Sequence, residues 1–139
     1  MITEVHYKTF GYGKSINEIL YQINCWENEF GYMHTELNFI TNLLKNYPVN
    51  SNTPNLYERI QLFLKELSNV ENTRHSLLIE IDDYKNDLIG QDEKHHLESH
   101  DYYLITYQKI AESIFNYFKN YNTLKCNIYE YVEGLLETN

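Results

Sequence analysis

Disulfide bonding cannot organise this chain, because only two cysteines occur among its 139 residues. Cys25 and Cys126 are about a hundred positions apart, and one such pair does not make the disulfide framework of a small secreted domain. The first residues, MITEVHYKTFGYGKS, contain no apolar stretch followed by small residues, so no secretory signal is predicted. These features favour a cytoplasmic protein with reduced thiols.

Positive charge is scarce as well. Lys and Arg number 11 against 20 Asp and Glu, which gives a formal net charge of −9. Phosphate contacts need clustered Lys and Arg, so direct binding of nucleic acid is not expected, and neither is binding to an anionic membrane surface. The acidity is compatible with plain solubility or with docking onto a basic protein surface.

Long apolar runs and catalytic motifs are also missing. No run approaches the ~20 residues that a membrane-spanning helix needs, so no membrane association is predicted. His34, Glu36 and Glu29 could form an acid–base set, but no nucleophile or oxyanion hole accompanies them at a motif spacing. A glycine-rich phosphate loop is absent too. The sequence therefore predicts a protein that is not an enzyme and that uses no cofactor.

Apolar residues at alternating spacings of three and four dominate what is present. This heptad pattern is typical of packed helices and cannot be produced by a strand. Ser15 and Glu18 form a capping-box pattern at the start of the first seam, and NYPVNSNTPN supplies turn residues at its end. The first seam consists of Ile16, Ile19, Ile23, Trp26, Phe30, Met33, Leu37, Ile40, Leu44 and Tyr47.

Two further seams follow. Thr53 and Pro54 are predicted as the N-cap and first position of the second helix, and Gly90 as its stop. The second seam consists of Leu56, Ile60, Phe63, Leu67, Val70, Arg74, Leu77, Ile81, Tyr84 and Leu88. The third consists of Leu97, His100, Leu104, Tyr107, Ala111, Ile114, Phe118, Tyr121, Lys125, Ile128, Val132 and Leu135. The predicted helices cover about 15–47, 54–89 and 92–137.

These seams predict a single all-α domain, an antiparallel bundle of three long helices. The third seam outruns the others, and its surplus contains Leu124, Ile128, Val132, Leu135 and Leu136. A break near 120–123 would let this stripe fold back as a short fourth helix. A continuous helix would instead present the stripe to a second copy of the chain. We favour the second arrangement, a homodimer, because Thr123 has no Gly or Pro beside it.

The stretch DEKHHLESHD, at 92–101, raises the question of a metal site. Glu93, His96 and His100 would share one face of a helix, which is a chelating geometry for a divalent ion. The alternative is the polar start of the third helix, where Asp92 and Glu93 would suit the helix dipole. Because no second set of ligands stands at a matching spacing, we favour the polar helix start and predict no metal.

Arg74 is the charged residue of the second seam. Counting outward from the predicted turns places it level with Glu27 and Glu29 on the first helix and near Glu112 on the third. A buried Arg paired to a carboxylate can fix helix register, so Arg74, Glu29 and Glu112 are predicted as a structural polar core. The alternative is a ligand pocket at mid-bundle.

Tyrosine is abundant, with 14 residues, and many lie on the third predicted helix. Tyrosine is enriched at interface hot spots, although AT-rich coding explains its abundance equally well. The residues proposed to contact a partner are Tyr102, Tyr103, Tyr117, Tyr129 and Tyr131.

The stretch WENEFGYMHTELNFITNLLKNYP resembles an uncharacterised family of short helical bacterial proteins, in which a Trp is followed by Glu-Leu-x-Phe and a Leu-Leu pair. The resemblance covers the first predicted helix and at most the start of the second. It implies a helical bundle and no assigned activity.

Three functions of different class are compatible with these features. The favoured one is a non-enzymatic acidic bundle that binds and regulates or inhibits a partner protein with a basic surface. Its sharper form is an inhibitor that occupies a nucleic-acid-binding surface, as small acidic helical proteins of phages and mobile elements do. The alternatives are a metal-binding bundle, and a small ligand carrier or enzyme with a pocket around Arg74.

Overall fold

The computed structural model describes residues 15–47, 53–93 and 100–138, without the side chains of 91–93, 100–101 and 137–138. These residues form three α-helices: α1 (Ile16–Lys45), α2 (Leu56–Glu93) and α3 (His100–Thr138). No strand occurs in these ranges. The predicted all-α bundle of three long helices is confirmed. The short fourth helix is not present in the described residues, since α3 passes through 120–123 without a break.

The start of α1 is fixed by the predicted capping box. The Ser15 hydroxyl accepts a hydrogen bond from the Glu18 amide (3.1 Å), and the Glu18 carboxylate accepts one from the Ser15 amide (2.9 Å). Two of the amides that lack a partner inside the helix are thereby satisfied. At the other end, the Asn46 amide donates to the carbonyl of Asn42 (3.0 Å), so α1 closes at the residues that the turn signal indicated.

The start of α2 differs from the prediction. Pro54 does not occupy the first helical position. The Leu56 amide donates to the Thr53 carbonyl (3.4 Å), and Asn55 has φ of 60°. A type II turn has proline at its second position and a residue of positive φ at its third, which Pro54 and Asn55 supply. Asn55 then provides the first helical acceptor, because its carbonyl receives the Arg59 amide (2.9 Å).

Substitution of Asn55 tests this turn. Asn tolerates left-handed backbone, whereas a β-branched side chain does not. We expect Asn55→Val to lower the free energy of unfolding by about 1–2 kcal/mol relative to Asn55→Gly, measured by urea denaturation. The glycine variant serves as the matched control because it removes the side chain without opposing the positive φ. Equal stability of the two variants would contradict the turn.

The end of α2 also differs from the prediction. Gly90 does not stop the helix, which continues to Glu93. A glycine inside a helix costs about 1 kcal/mol relative to alanine, which the packing of a long helix readily offsets. Asp92 and Glu93 therefore end α2 instead of beginning α3. Residues 94–99, including Leu97, lie outside the described residues.

The core follows the predicted seams. Eight residues of the first seam and nine of the second are at least nine-tenths buried, and Arg74 is one of the nine. Aromatic contacts join the helices: Trp26 stacks on Tyr107 (5.5 Å), and Phe63 meets Tyr131 edge-on (5.7 Å). Phe30 also meets Tyr117 (5.6 Å), and Tyr84 meets Tyr103 (6.3 Å). The contact positions therefore advance in the same direction along α1 and α3 and in opposite directions along α2 and α3. The order is therefore up, down, up, as the short connections require.

The end of α3 differs most from the prediction, which expected an exposed apolar stripe there. Leu124, Ile128 and Leu135 are buried and Val132 is half-buried, so only Leu136 of the predicted stripe is exposed. The expected surplus over α2 does not exist, because α2 has 38 residues and α3 has 39, although α3 is longer than α1, which has 30. The homodimer stays a prediction, but the exposed stripe that motivated it is absent.

In the part of the chain that the structure describes, none of the three helices combines the length and apolar character needed to cross a bilayer.

Candidate functional site

Arg74 lies in the α1–α2 interface with 8% of its surface exposed. Its guanidinium forms two hydrogen bonds with Glu71, from Nε to Oε1 (2.9 Å) and from Nη2 to Oε2 (2.8 Å). It also donates to the Phe30 carbonyl (3.3 Å) and to Nδ1 of His34 (3.1 Å). The fork-shaped guanidinium matches a carboxylate in this bidentate way, and the α1 contacts tie the two helices in one register.

The predicted partners of Arg74 were wrong. Glu29 and Glu112 are exposed, and Arg74 uses the carboxylate three residues before it on its own helix. Glu27 pairs instead with Lys85 (3.2 Å). Distances along the chain from the predicted turns indicate which residues lie at the same height in the bundle. They do not indicate which of those side chains lie on the facing surfaces of the helices. Only Arg74 belongs to the polar core as predicted.

The negative charge of Glu71 is stabilised by Arg74. Hydrogen bonding from Arg74 lowers the pKa of Glu71 below its ordinary value, and this outweighs the opposing effect of burial. Four of the five Arg74 N–H donors bond to groups of the chain itself. The cluster is therefore suited to holding α1 against α2.

A second polar cluster lies between α1 and α3. Glu36 accepts hydrogen bonds from the Tyr121 hydroxyl and from Nζ of Lys125 (3.1 Å). Burial raises the pKa of Glu36, but the hydrogen bonds from Tyr121 and Lys125 and the Lys125 charge together hold it below its ordinary value. Lys125 also lies over the Tyr121 ring (5.3 Å). Sequence reasoning missed this cluster, although Lys125 at a seam position was a signal of it.

These two carboxylates make stability depend on pH. A carboxyl whose pKa is lowered by folding contributes stability above its unfolded value, and this contribution is lost as pH falls through the folded value. We expect the free energy of unfolding to decrease as pH is lowered below about 5. The combined variant Glu36→Gln with Glu71→Gln should show a shallower decrease than the wild type. Glu112→Gln, at an exposed position, is the control; a wild-type slope in the combined variant would contradict the assignment.

Shallow grooves follow the helix interfaces. The α1–α3 groove has a volume of about 330 Å³ and is lined by Glu29, Tyr32, Met33, Glu36, Phe118, Tyr121, Asn122 and Lys125. An α2–α3 groove of about 490 Å³ is rich in amides and hydroxyls, including Asn69, Asn116 and Asn120. Arg74 lines neither of them. A third groove, of about 270 Å³ between α1 and α2, is lined by Glu71, the partner of Arg74, together with Asn38 and Lys45. The hypothesis of a ligand pocket beside Arg74 therefore stays a prediction.

The residues of the predicted metal site lie at the ends of two helices or outside the described residues. Glu93 is the last residue of α2, His100 is the first of α3, and His96 lies outside the described residues. Glu93 and His100 belong to different helices, so these two do not share one helix face. The side chains of Glu93 and His100 and the whole of His96 lie outside the described residues. Among the side chains that the structure describes, no group of three His, Cys, Asp or Glu could hold a metal ion.

The five tyrosines proposed to contact a partner divide into two groups. Tyr102 and Tyr129 are exposed, at 63% and 43%. Tyr103 and Tyr117 are buried and Tyr131 is half-buried, so these three belong to the bundle and not to a free surface. The prediction failed for them because α3 packs against two helices at once, which makes its buried stripe wider than one seam.

An acidic surface lies where the last turns of α2 run beside the first turns of α3. Its acidic members on α2 are Glu80, Asp83 and Asp87, all exposed and spaced three and four apart. Asp87 accepts a hydrogen bond from the Tyr103 hydroxyl (3.1 Å), and the Tyr102 ring meets the Tyr103 ring edge-on (5.3 Å). The exposed Tyr102 therefore contacts the tyrosine that is hydrogen-bonded to Asp87. We call Glu80, Asp83, Asp87 and Tyr102 the acidic surface.

Comparisons with families of known proteins, with curated proteins and with solved structures find no match to this chain. The resemblance to a family of short helical bacterial proteins stays a prediction.

Proposed function

We propose that this protein is a non-enzymatic interaction protein whose acidic surface binds a partner protein with a basic surface and regulates or inhibits it. The observation that carries the proposal is the position of Tyr102. The hydrogen bond from Tyr103 to Asp87, together with the contact between the two tyrosine rings, holds the exposed Tyr102 next to the carboxylate stripe.

This combination is suited to recognising a cationic protein surface. Tyrosine offers a large contact area at small entropic cost and attracts cations to its ring face. Carboxylates around it steer a positively charged partner and disfavour acidic ones. The net charge of −9 adds a long-range attraction for the same positively charged partner. A basic partner that binds nucleic acid would be blocked by such a bundle, since its Lys and Arg would be occupied.

Affinity capture with paired variants tests the proposal. The test variant carries Glu80→Gln, Asp83→Asn and Tyr102→Ala. The control carries Glu130→Gln, Glu133→Gln and Tyr57→Ala, which remove the same charges and one exposed tyrosine elsewhere. Both variants have the same net charge, so a difference between them reports the surface and not overall acidity.

We expect a protein from the native cell to be retained by the wild type and by the control, and to be lost from the test variant. The retained protein should carry a net positive charge, and its elution should occur on raising the salt concentration. Equal retention by the test variant and the control would contradict the proposal. Both variants should melt at temperatures close to the wild type, because all six positions are exposed.

A further inference from the structure

The outward face of α1 differs from every other exposed part of the bundle. It lies opposite the buried seam and is built from exposed residues that recur three and four apart along the helix, with the neighbours Gly31 and Tyr32 at its centre. We call them the outer face of α1: Asn17, Tyr21, Asn24, Asn28, Gly31, Tyr32, Thr35, Phe39 and Asn42. None of these residues is charged, in a chain of which 22% is charged.

The outward faces of α2 and α3 are ordinary by comparison. They carry exposed charges such as Glu58, Lys65 and Asp83 on α2 and Glu112 and Lys119 on α3. The charged residues of α1 lie on its two flanks, where Glu27 pairs with Lys85 of α2 and Glu36 with Lys125 of α3. Charge is therefore excluded from one long stripe and not merely scarce in α1.

Three of the nine residues of that stripe are aromatic, and the others are four asparagines, a threonine and a glycine. Tyr21, Tyr32 and Phe39 are 70%, 73% and 64% exposed. Depletion of charge together with enrichment in Tyr and Phe is the composition of the core of a protein–protein interface. Single exposed aromatics need no explanation, but three on one uncharged face do.

Gly31 stands in the middle of the same face. A glycine inside a helix lowers its stability, and among the described residues a Cβ at Gly31 would meet no atom within 4 Å, as is also true at Gly90 and Gly134. A small residue does become useful where a second helix crosses, since it lets two backbones approach closely.

We infer that the outer face of α1 is the contact surface between two copies of this chain. The absence of charge on this face favours a second copy over a basic partner. Two chains of net charge −9 repel one another, and the nine residues of this face bring no carboxylate of their own into the contact. The neighbouring carboxylates are those of Glu29 and Glu36, which line the α1–α3 groove beside Tyr32. A basic partner would gain nothing from it and would prefer the acidic surface on α2 and α3.

The sequence of the face fits a two-fold axis. When two copies of α1 run antiparallel and cross beside residue 30, Tyr21 of one copy lies level with Phe39 of the other. Tyr32 lies level with Asn28, and Gly31 falls next to the axis, where the helices are nearest. Self-complementarity of this kind is what a two-fold interface requires. This surface is distinct from the tail of α3, whose apolar stripe is buried within one chain.

Sedimentation velocity over a wide range of micromolar concentrations tests the inference. We expect the wild-type mass to rise from 16.8 kDa toward twice that value. Gly31→Glu places a carboxylate near its own copy at the axis and should weaken self-association by about a hundredfold. Ile79→Glu, which adds the same charge at an exposed position of α2, is the matched control and should leave self-association unchanged.

Gly31→Ala supplies a second test, because it should raise the melting temperature and weaken self-association. It should raise the melting temperature at low protein concentration by roughly 3–5 °C, because alanine favours the helix, while weakening self-association. A wild-type mass that stays at 16.8 kDa on concentration would overturn the inference. So would self-association of Gly31→Glu as tight as that of the wild type, or equal weakening by Ile79→Glu.

Discussion

Replacing Trp26 with alanine is expected to lower the free energy of unfolding by about 3–5 kcal/mol, as truncation of a large buried aromatic does. Trp26 is 6% exposed and stacks on Tyr107 with 24° between the ring planes. Its removal would leave a cavity between α1 and α3 that rigid helices fill only in part.

Urea denaturation followed by circular dichroism measures this change. Tyr57→Ala is the control, because Tyr57 is a large aromatic that is 60% exposed, and its loss should change the free energy of unfolding by less than about 0.5 kcal/mol. If Trp26→Ala proved as mild as the control, the packing of α1 against α3 would be wrong.

Reversing the charge at Arg74 is expected to be as damaging. Arg74→Glu would set a second carboxylate against Glu71 at a site where only 8% of the residue is exposed. Leaving buried charge without a partner costs about 3–5 kcal/mol, so this variant should be largely unfolded or markedly less stable.

Arg74→Leu should be tolerated, and the contrast between the two variants is the informative result. Leucine fills much of the same volume, and buried ion pairs often stabilise no better than apolar replacements. Glu71 can then turn to water, because 38% of its side chain is already exposed. We expect a change within about 1 kcal/mol, measured by urea denaturation. Unfolding of the leucine variant would mean that the cation itself is required for the fold.

The buried face of each helix could be predicted because apolar burial drives folding and leaves a period in the sequence. The second seam shows this most clearly, since even its one charged member, Arg74, is buried. The capping box at Ser15 was equally predictable, because a capping box depends on local residues alone.

The ends of α2 could not be predicted, because the competing effects there are small. A glycine such as Gly90 inside a helix costs only about 1 kcal/mol relative to alanine, and Pro54 fits both a helix start and a type II turn. The misplaced end at Gly90 then made α3 seem too long, from which the exposed tail stripe followed. One error of a few residues therefore produced a prediction about assembly.

Side-chain partners were less predictable still. Tyr102 and Tyr103 are neighbours in sequence, yet one is exposed and the other is buried with its hydroxyl on Asp87. Rotation of the helix decides between them, and periodicity fixes that rotation only to within about one residue. The acidic surface depends on this rotation, which is why it emerged only from the structure.

The most direct test of the proposed function is the salt dependence of binding between this chain and the protein that it captures. Calorimetric titration at several salt concentrations gives the dissociation constant in each. The account predicts that binding weakens steeply as salt rises, and that the Glu80→Gln, Asp83→Asn, Tyr102→Ala variant binds weakly with a shallow dependence. Binding that is indifferent to salt and unchanged in that variant would contradict it.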